Sequence, residues 1–465
     1  MSVRFRSTRC HARAVNPLAG MPVRIDHRIR AFMFSVMVSC ATPALADSAL
    51  DSSTSPKMVA PSSTIESLLI EARGHNPEIA AAHAEGDAAE QRIAPAGVLE
   101  DPMLEAGVVN VPLPVSFRSD DMTMKMLGLS QKLPFPGKRE LRRSVARADA
   151  ASVSYAAGEL VNRIFRDVRV AYEELWLAQT SQRLVNQTLV TMRQLVSMTA
   201  ARYAVGQATQ SDALQAQVEV VRLQQELLRV DQEQSMRQSE LARLLGRQGD
   251  NSPIVPTPGV LLELPASPQA LTDTAQDERP QLKSLAALMD KSDQALALAR
   301  REYYPDFEVR LGYGQREPTL QGVPRDDMIT LTVAVNLPLW RKSRLDPRVA
   351  EARAMQRQAL SMAENQRLET RAGIEQQLAV ERHQRASALL YRSTSIPQAN
   401  AAFESALVAY RIGRVDFRTL LEGQMAVYET SLGEANAIAA HNKAIAELDL
   451  LTGHAPKTGA PEIQP

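Results

Sequence analysis

"LSQKLPFPGKRELRRSVARADA", Leu129 to Ala150, starts with the alternation of a strand, meets Pro134, Pro136 and Gly137, and then turns basic and alanine-rich as a helix does. The prolines end ladder pairing and the glycine permits the bend. A second stretch, "VAVNLPLWRKSRLDPRVAEARA" from Val333 to Ala354, makes the same passage. Leu133-Pro134 answers Leu337-Pro338, Lys138 answers Lys342, and Val145-Ala146 answers Val349-Ala350. A strand-to-helix corner that occurs twice is a statement about architecture.

The echo extends along the chain at a nearly constant offset, the mark of an internal duplication. Asn76-Pro77 answers Arg279-Pro280, and Pro102 answers Pro305. Tyr203, Gly206, Leu214 and Gln217 answer Tyr410, Gly413, Leu421 and Gln424, and Gly246 answers Gly453. The repeats are read as 47–249 and 269–454, joined by the Pro-rich linker Asp250 to Pro268 and followed by a tail over 455–465.

Each repeat reads as helix, two strands, long helix, tight turn and returning helix. Strands are expected over about 103–113, 121–134, 306–317 and 327–339, and helical hairpins over about 138–246 and 344–452. Ile329, Leu331, Val333 and Val335 share one face while Thr330, Thr332 and Ala334 share the other, as in a half-buried antiparallel sheet or one against lipid. Leu141 to Arg202 holds no proline, so a continuous helix there is ~90 Å long. Val161, Ile164, Val168, Ala171 and Leu175 recur at coiled-coil spacing. Its counterpart, Val349 to Arg411, carries Pro397 as an expected kink. The fold class is mainly α with a small β part. Composition agrees: 45% of the 465 residues are apolar but only 4% aromatic.

The N-terminus has the layout of an export signal. Arg24, Arg28 and Arg30 precede the apolar "AFMFSVMVSC", and Ala44-Leu45-Ala46 stands before Asp47. Residues 1–46, started at Met1 or Met21, are read as a signal peptide cleaved after Ala46. The rival site, "MVSC", makes Cys40 an acylated N-terminus. Cys10 and Cys40 are the only cysteines, so the mature chain has no disulfide. Met1 to Ala46 holds seven arginines and one acid, which leaves the remainder of a formally neutral chain net acidic, with no footprint for nucleic acid.

Gly137-Lys138 is not a phosphate loop, because Arg139 stands where a Walker motif needs Ser or Thr. The seven histidines form no ligand pair and no catalytic set is visible, so neither enzyme activity nor a cofactor or metal site is expected. Met122, Met124 and Met126 are read as lipid-facing or strand-packing residues ahead of soft-metal ligands. Phe135 and Trp340, at matching strand ends, are either interfacial aromatics or corner packing.

Four strands are too few to close a membrane barrel, so an exported chain either packs them on its own helices or pools them with other copies. At this point "SQKLPFPGKRELR", "YPDFEVRLGYG", "NLPLWRKSR", both Y-x-x-G turns and the two repeat ends resemble the TolC-type outer-membrane efflux proteins, over essentially the whole mature region. "LSQKLPFPGK" resembles most the branch that serves heavy-metal pumps. The resemblance implies a homotrimeric outer-membrane β-barrel continued by an α-helical coiled-coil periplasmic tunnel. It implies a passive duct in outer-membrane lipid, fed by an inner-membrane pump of the resistance-nodulation-division type through a periplasmic adaptor. The turns at Tyr203, Gly206, Tyr410 and Gly413 then form the tip that meets the adaptor. By position, Glu422 keeps the charge of the family's paired acidic constriction while Thr419 does not, and Asp416 one turn earlier stands in. Glu422 and Asp416 are accordingly the gate candidates, against a plain solvated charge on a hairpin. The alternatives are a type I secretion or drug-efflux duct and, in another class, a soluble periplasmic coiled-coil scaffold.

Overall fold

Two runs of elements with the same order make up the chain in a computed structural model that describes residues 64–453 apart from 114, 248, 250, 251 and 265. The signal peptide, Ala46, Cys40 and the tail from 455 lie outside the described residues. The first run is α1 (Ile65–His75), α2 (Pro77–Gln91), α3 (Ile93–Ala96), β1 (Met103–Val109), β2 (Met124–Leu133), α4 (Lys138–Ala204) and α5 (Gln210–Leu244). The second is α6 (Pro268–Glu278), α7 (Pro280–Arg301), β3 (Phe307–Gln315), β4 (Met328–Val335), α8 (Asp346–Leu390), α9 (Ile396–Arg411) and α10 (Phe417–Thr452). Among the described residues no helix is long and apolar enough to cross a membrane.

The four strands form one antiparallel sheet in the order β1-β2-β3-β4. They stop short of the expected ranges at the connecting loops, where Asn110 turns to a positive φ of 55° after β1 and Pro318 follows β3. Leu104, Leu129, Leu311 and Leu331 pair in a single row across all four strands. All four are exposed, Leu104 and Leu331 at 68% each, so nothing among the described residues covers that face. The opposite face has a different character. Its rows run Gly107–Met126–Gly314–Met328 and Glu105–Gly128–Gly312–Thr330. Met124 and Met126 therefore stand on the small-residue face, where the Met126 methyl lies over Gly312 and the Met124 sulfur over Gly314. They pack on the strands and leave the apolar face to leucine, isoleucine and valine, which corrects the lipid-facing half of the expectation.

Helix α4 runs unbroken for 67 residues, ~100 Å, and touches the elements of both repeats along its length. The core is strung along it as small clusters. Ile164, Val168 and Leu175 pack with α1, α5 and Ile254, and nearer the turn Val185, Leu189 and Met192 pack with α5, α9 and α10. Its counterpart is interrupted twice by π turns, at Arg341–Leu345 before α8 and at Tyr391–Ser395 after it. The second lies just before Pro397. Ile396 N–H bonds back five residues to Tyr391 C=O, so the bonding pattern widens directly before the residue that has no N–H to donate. Tyr391 is seated against Gly433 of α10, where an added Cβ would lie 2.6 Å from its ring.

Two polar junctions tie the repeats. Arg279, between α6 and α7, donates to Glu159 of α4 (2.8 Å) and to Thr370 of α8 (2.8 Å), and all three are buried. The Pro-rich connection is strapped across α4 and α10. Thr257 N–H donates to Tyr172 Oη (2.9 Å), Gln179 donates to Ile254 C=O (3.1 Å), and Asn442 both donates to Val260 C=O (3.0 Å) and accepts from Leu262 N–H (3.2 Å). Asn442 also donates to Glu173 Oε1 at 3.1 Å. Burial pushes the Glu173 carboxyl from its ordinary 4.5 up to about 7, against the lowering effects of the Asn442 bond and the Lys443 charge.

Because the folded chain holds this proton more tightly than the unfolded chain, the stabilisation is complete below the ordinary value. It is lost as pH rises through the folded value. The thermal midpoint of the purified protein should therefore fall between about pH 5 and about pH 8, and Glu173→Gln should flatten that part of the profile. An identical pH profile in wild type and variant would exclude Glu173 as its source.

Candidate functional site: the strand–helix corner and the helical tip

The first corner is bolted together by a few charged groups. Asp306, at the start of β3, accepts from Phe135 N–H and from Lys138 Nζ, each at 2.8 Å, and Lys138 also donates to Tyr304 C=O at 2.8 Å. Lys138 is buried, so its ammonium depends on these acceptors. Gly137 takes φ +90°, the left-handed turn that brings Pro136 C=O towards Arg301. The Arg301 guanidinium donates to that carbonyl and lies 5.5 Å from the centroids of both Phe135 and Tyr304, whose rings stack at 4.6 Å. Phe135 is thus corner packing. Trp340, one position beyond Leu339, the counterpart of Phe135, is 73% exposed. The duplicated positions have diverged, and sequence reasoning that treated them as one pair missed Asp306 and Arg301. Only the Pro305-Asp306 step hinted at a capping carboxylate.

At the far end of the helices, both turns close alike. Gly206 and Gly413 have φ of +74° and +76°, and Gln207 and Arg414 N–H bond back to Arg202 and Ala409 C=O. Thr209 caps α5 in a capping box with Asp212, and Asp416 caps α10 by accepting from Thr419 N–H (3.0 Å) and Oγ1 (2.7 Å). These bonds to Thr419 hold the Asp416 carboxyl below the usual carboxylate range. Glu422 pairs with Arg418 at 2.9 Å, both side chains exposed. The gate candidates thus lie six residues apart at the start of α10, about 120° from one another around its axis, one engaged as a cap and the other matched by an arginine.

The two tyrosines differ. Tyr203 is exposed, whereas Tyr410 is buried against Phe417, with its hydroxyl donating to Thr199 Oγ1 (3.3 Å). Arg202 lies over the Tyr410 ring at 4.7 Å and donates to Tyr410 C=O and Gln207 C=O. One arginine thereby clasps the turn of the first hairpin to that of the second, a role that no sequence motif announced. Among the described residues no group of three or more His, Cys, Asp or Glu side chains could hold a metal ion.

The described geometry is a set of long packed helices with a small apolar-faced sheet at one end and two linked turns at the other. The family model described as outer membrane efflux protein matches residues 68–247 and 271–454, one segment per repeat, leaving out the linker. The chain belongs to the outer membrane efflux protein family. It is an outer-membrane efflux channel with its helical part in the periplasm, and the family is one of transport channels. Among curated relatives of this family, the cobalt-zinc-cadmium resistance protein CzcC of Cupriavidus metallidurans is 25% identical over 412 residues, 86% of this chain and 92% of CzcC. The pyoverdine export outer membrane protein OpmQ of Pseudomonas putida is 23% identical over 298 residues, 63% of this chain and 62% of OpmQ. Solved outer-membrane proteins and channels share the fold. CusC superposes with a TM-score of 0.72 at 16% identity over 84% of this chain and 92% of its own, and Vibrio cholerae VceC with 0.72 at 19% identity over 84% and 96%.

Replacing Arg202 by Gln removes the clasp between the turns and should speed hydrogen exchange of the 203–209 backbone about tenfold. Mass-spectrometric exchange on the assembled protein reads this out, and unchanged protection there would remove Arg202 from the link.

Proposed function

We propose that this channel works as a homotrimer in which three four-stranded sheets share one barrel and three sets of long helices form one periplasmic tunnel. The observation that carries this reading is the sheet itself, apolar and uncovered on one face and open along both β1 and β4. Unpaired edges are not tolerated in a hydrocarbon layer, and joining β4 of one copy to β1 of the next removes all of them. Transport is passive. A resistance-nodulation-division pump supplies the energy, a periplasmic adaptor meets the tip at Tyr203, Gly206, Tyr410 and Gly413, and the duct releases the substrate outside. The substrate class is heavy-metal cations, a reading supported by the likeness to a cobalt-zinc-cadmium resistance protein along most of both chains. The likeness to a pyoverdine exporter favours a drug- or siderophore-type duct as the second reading.

The chain has no cysteine beyond Cys40, so introduced pairs report cleanly. Single cysteines along β1 (Leu104, Ala106, Val108) combined with ones along β4 (Leu331, Val333) should yield covalent trimers on oxidation in at least one register. Protein recovered in the soluble periplasm, with no cross-linked species in any register, would leave the scaffold alternative standing. For the substrate, a deletion strain should become sensitive to cobalt, zinc or cadmium, while sensitivity confined to organic compounds favours the second reading.

At the tip, Glu422 and Asp416 form the negative ring of the closed end. Because Arg418 offsets Glu422, the ring is weak in the resting arrangement, as exposed pairs are. Single-channel recording should show cation selectivity falling in Glu422→Gln and rising in Arg418→Gln. Equal selectivity in the two variants would place the gate elsewhere.

A further inference from the structure

The duplication supplies an internal control at the base of the sheet. In the first repeat the aromatic and most of the basic residues that follow the strand are consumed within the chain. Phe135 is stacked, Lys138 is bound to Asp306, Arg139 donates to Gly97 C=O (2.9 Å), and Arg143 pairs with Glu140. In the second repeat the same stretch is unspent. The apolar register of β4, Ile329, Leu331, Val333 and Val335, continues past the last paired residue through Leu337 and Leu339 to Trp340, every one of them exposed. Arg341, Lys342 and Arg344 follow at once, also exposed, and none has a side-chain hydrogen bond or ion pair among the described residues.

Nor is this segment loose. The π turn Arg341–Leu345 is fastened by buried Leu345, by Arg344 N–H on Trp340 C=O (3.0 Å), and by Tyr303 Oη on Asp346. Beside it opens a cleft of about 450 Å³, whose charged lining is Lys138, Arg142, Arg344 and Arg348 against Asp306 and Glu302. Arg348 is paired with Glu302 and Lys138 with Asp306, whose carboxylate Arg142 also faces, so cations outnumber carboxylates in the cleft and Arg344 stands without an ion pair among the described residues.

We propose that Trp340, Arg341, Lys342 and Arg344 form a binding surface for the headgroup of an anionic phospholipid in the leaflet that faces the periplasm. An apolar stripe ending in tryptophan and then in unpaired cations has the order of a hydrocarbon layer, its interface and its phosphate plane. Continuity with the lipid-facing register of β4 favours a lipid as the occupant, and a neighbouring copy lying over the same patch is the other outcome that the test separates. The inference rests on the barrel reading above, so insertion is measured apart from lipid choice.

The assembled protein is purified in detergent and titrated with phosphatidylglycerol and with phosphatidylcholine of the same chains, with bound lipid counted by native mass spectrometry. The wild type should prefer phosphatidylglycerol at least tenfold, since each cation near an anionic surface contributes roughly fivefold. The preference should collapse in the variant carrying Arg341→Gln, Lys342→Gln and Arg344→Gln, survive in one carrying Arg341→Lys and Arg344→Lys, and weaken with added salt. Removing three arginines from α8 (Arg357→Gln, Arg367→Gln, Arg371→Gln) should leave it unchanged. Trp340→Ala should lower the affinity for both lipids alike. A wild type without preference, or a triple variant that keeps it, overturns the proposal. A triple variant that loses its trimer while the remaining species still selects phosphatidylglycerol assigns the patch to a neighbouring copy. Should that variant not assemble, Lys342→Gln and the salt dependence of the wild type give the same decision. Failure of the wild type to conduct in planar bilayers refutes the barrel reading instead.

Discussion

Unpaired N–H and C=O groups along β1 and β4 are the constraint on which the other features depend, because a sheet of four strands leaves two complete edges unsatisfied. Water can hydrate such edges, but a hydrocarbon layer cannot. A sheet whose leucine row stands uncovered belongs in that layer, and it can remain there only if each edge finds a strand elsewhere. The helices inherit the consequence. They have no single compact core to collapse on, so their apolar residues are spread as small clusters along α4, and buried polar junctions such as Arg279–Glu159–Thr370 fix how the two repeats meet. Breaking one partner of such a buried pair is costly, whereas the intact pair mainly specifies geometry.

Much of this was legible in the sequence because the signals were periodic or repeated. Alternation along Ile329 to Val335 grouped the residues of one face without saying what covers it, three-to-four spacing from Ile164 to Leu175 named the buried side of α4, and the echo of Gly206 at Gly413 named both turns. Period-based reading failed where a residue's surroundings come from a distant segment. The strand alternation separated Met124 and Met126 from the leucines, but only the pairing with β3 showed glycines beneath them. Pro397 marked where its helix departs from regular α geometry, but not that the departure takes the form of a wide turn just upstream.

The site was less legible than the fold for the same reason. Tyr203 and Tyr410 read as equivalents, and the Tyr-x-x-Gly spacing could not show that one is exposed and the other buried under Arg202. Phe135 and Trp340 read as equivalents too. What separates them is Tyr304 and Arg301, contributed by the opposite repeat. Duplication produces matching sequence, but three-dimensional neighbours are not duplicated with it, and function accumulates where they differ.

The two repeats also differ in stiffness. Helix α4 is a single rod with every backbone bond in register from corner to tip, so a load on its turn must tilt the whole member. Its counterpart is built as two shorter members, α8 and α9, joined at the widened turn Tyr391–Ser395, with a second widened turn, Arg341–Leu345, at its base. In beam terms one helix is a single mast and its counterpart is jointed, with the ring of Tyr391 resting on Gly433 at the joint.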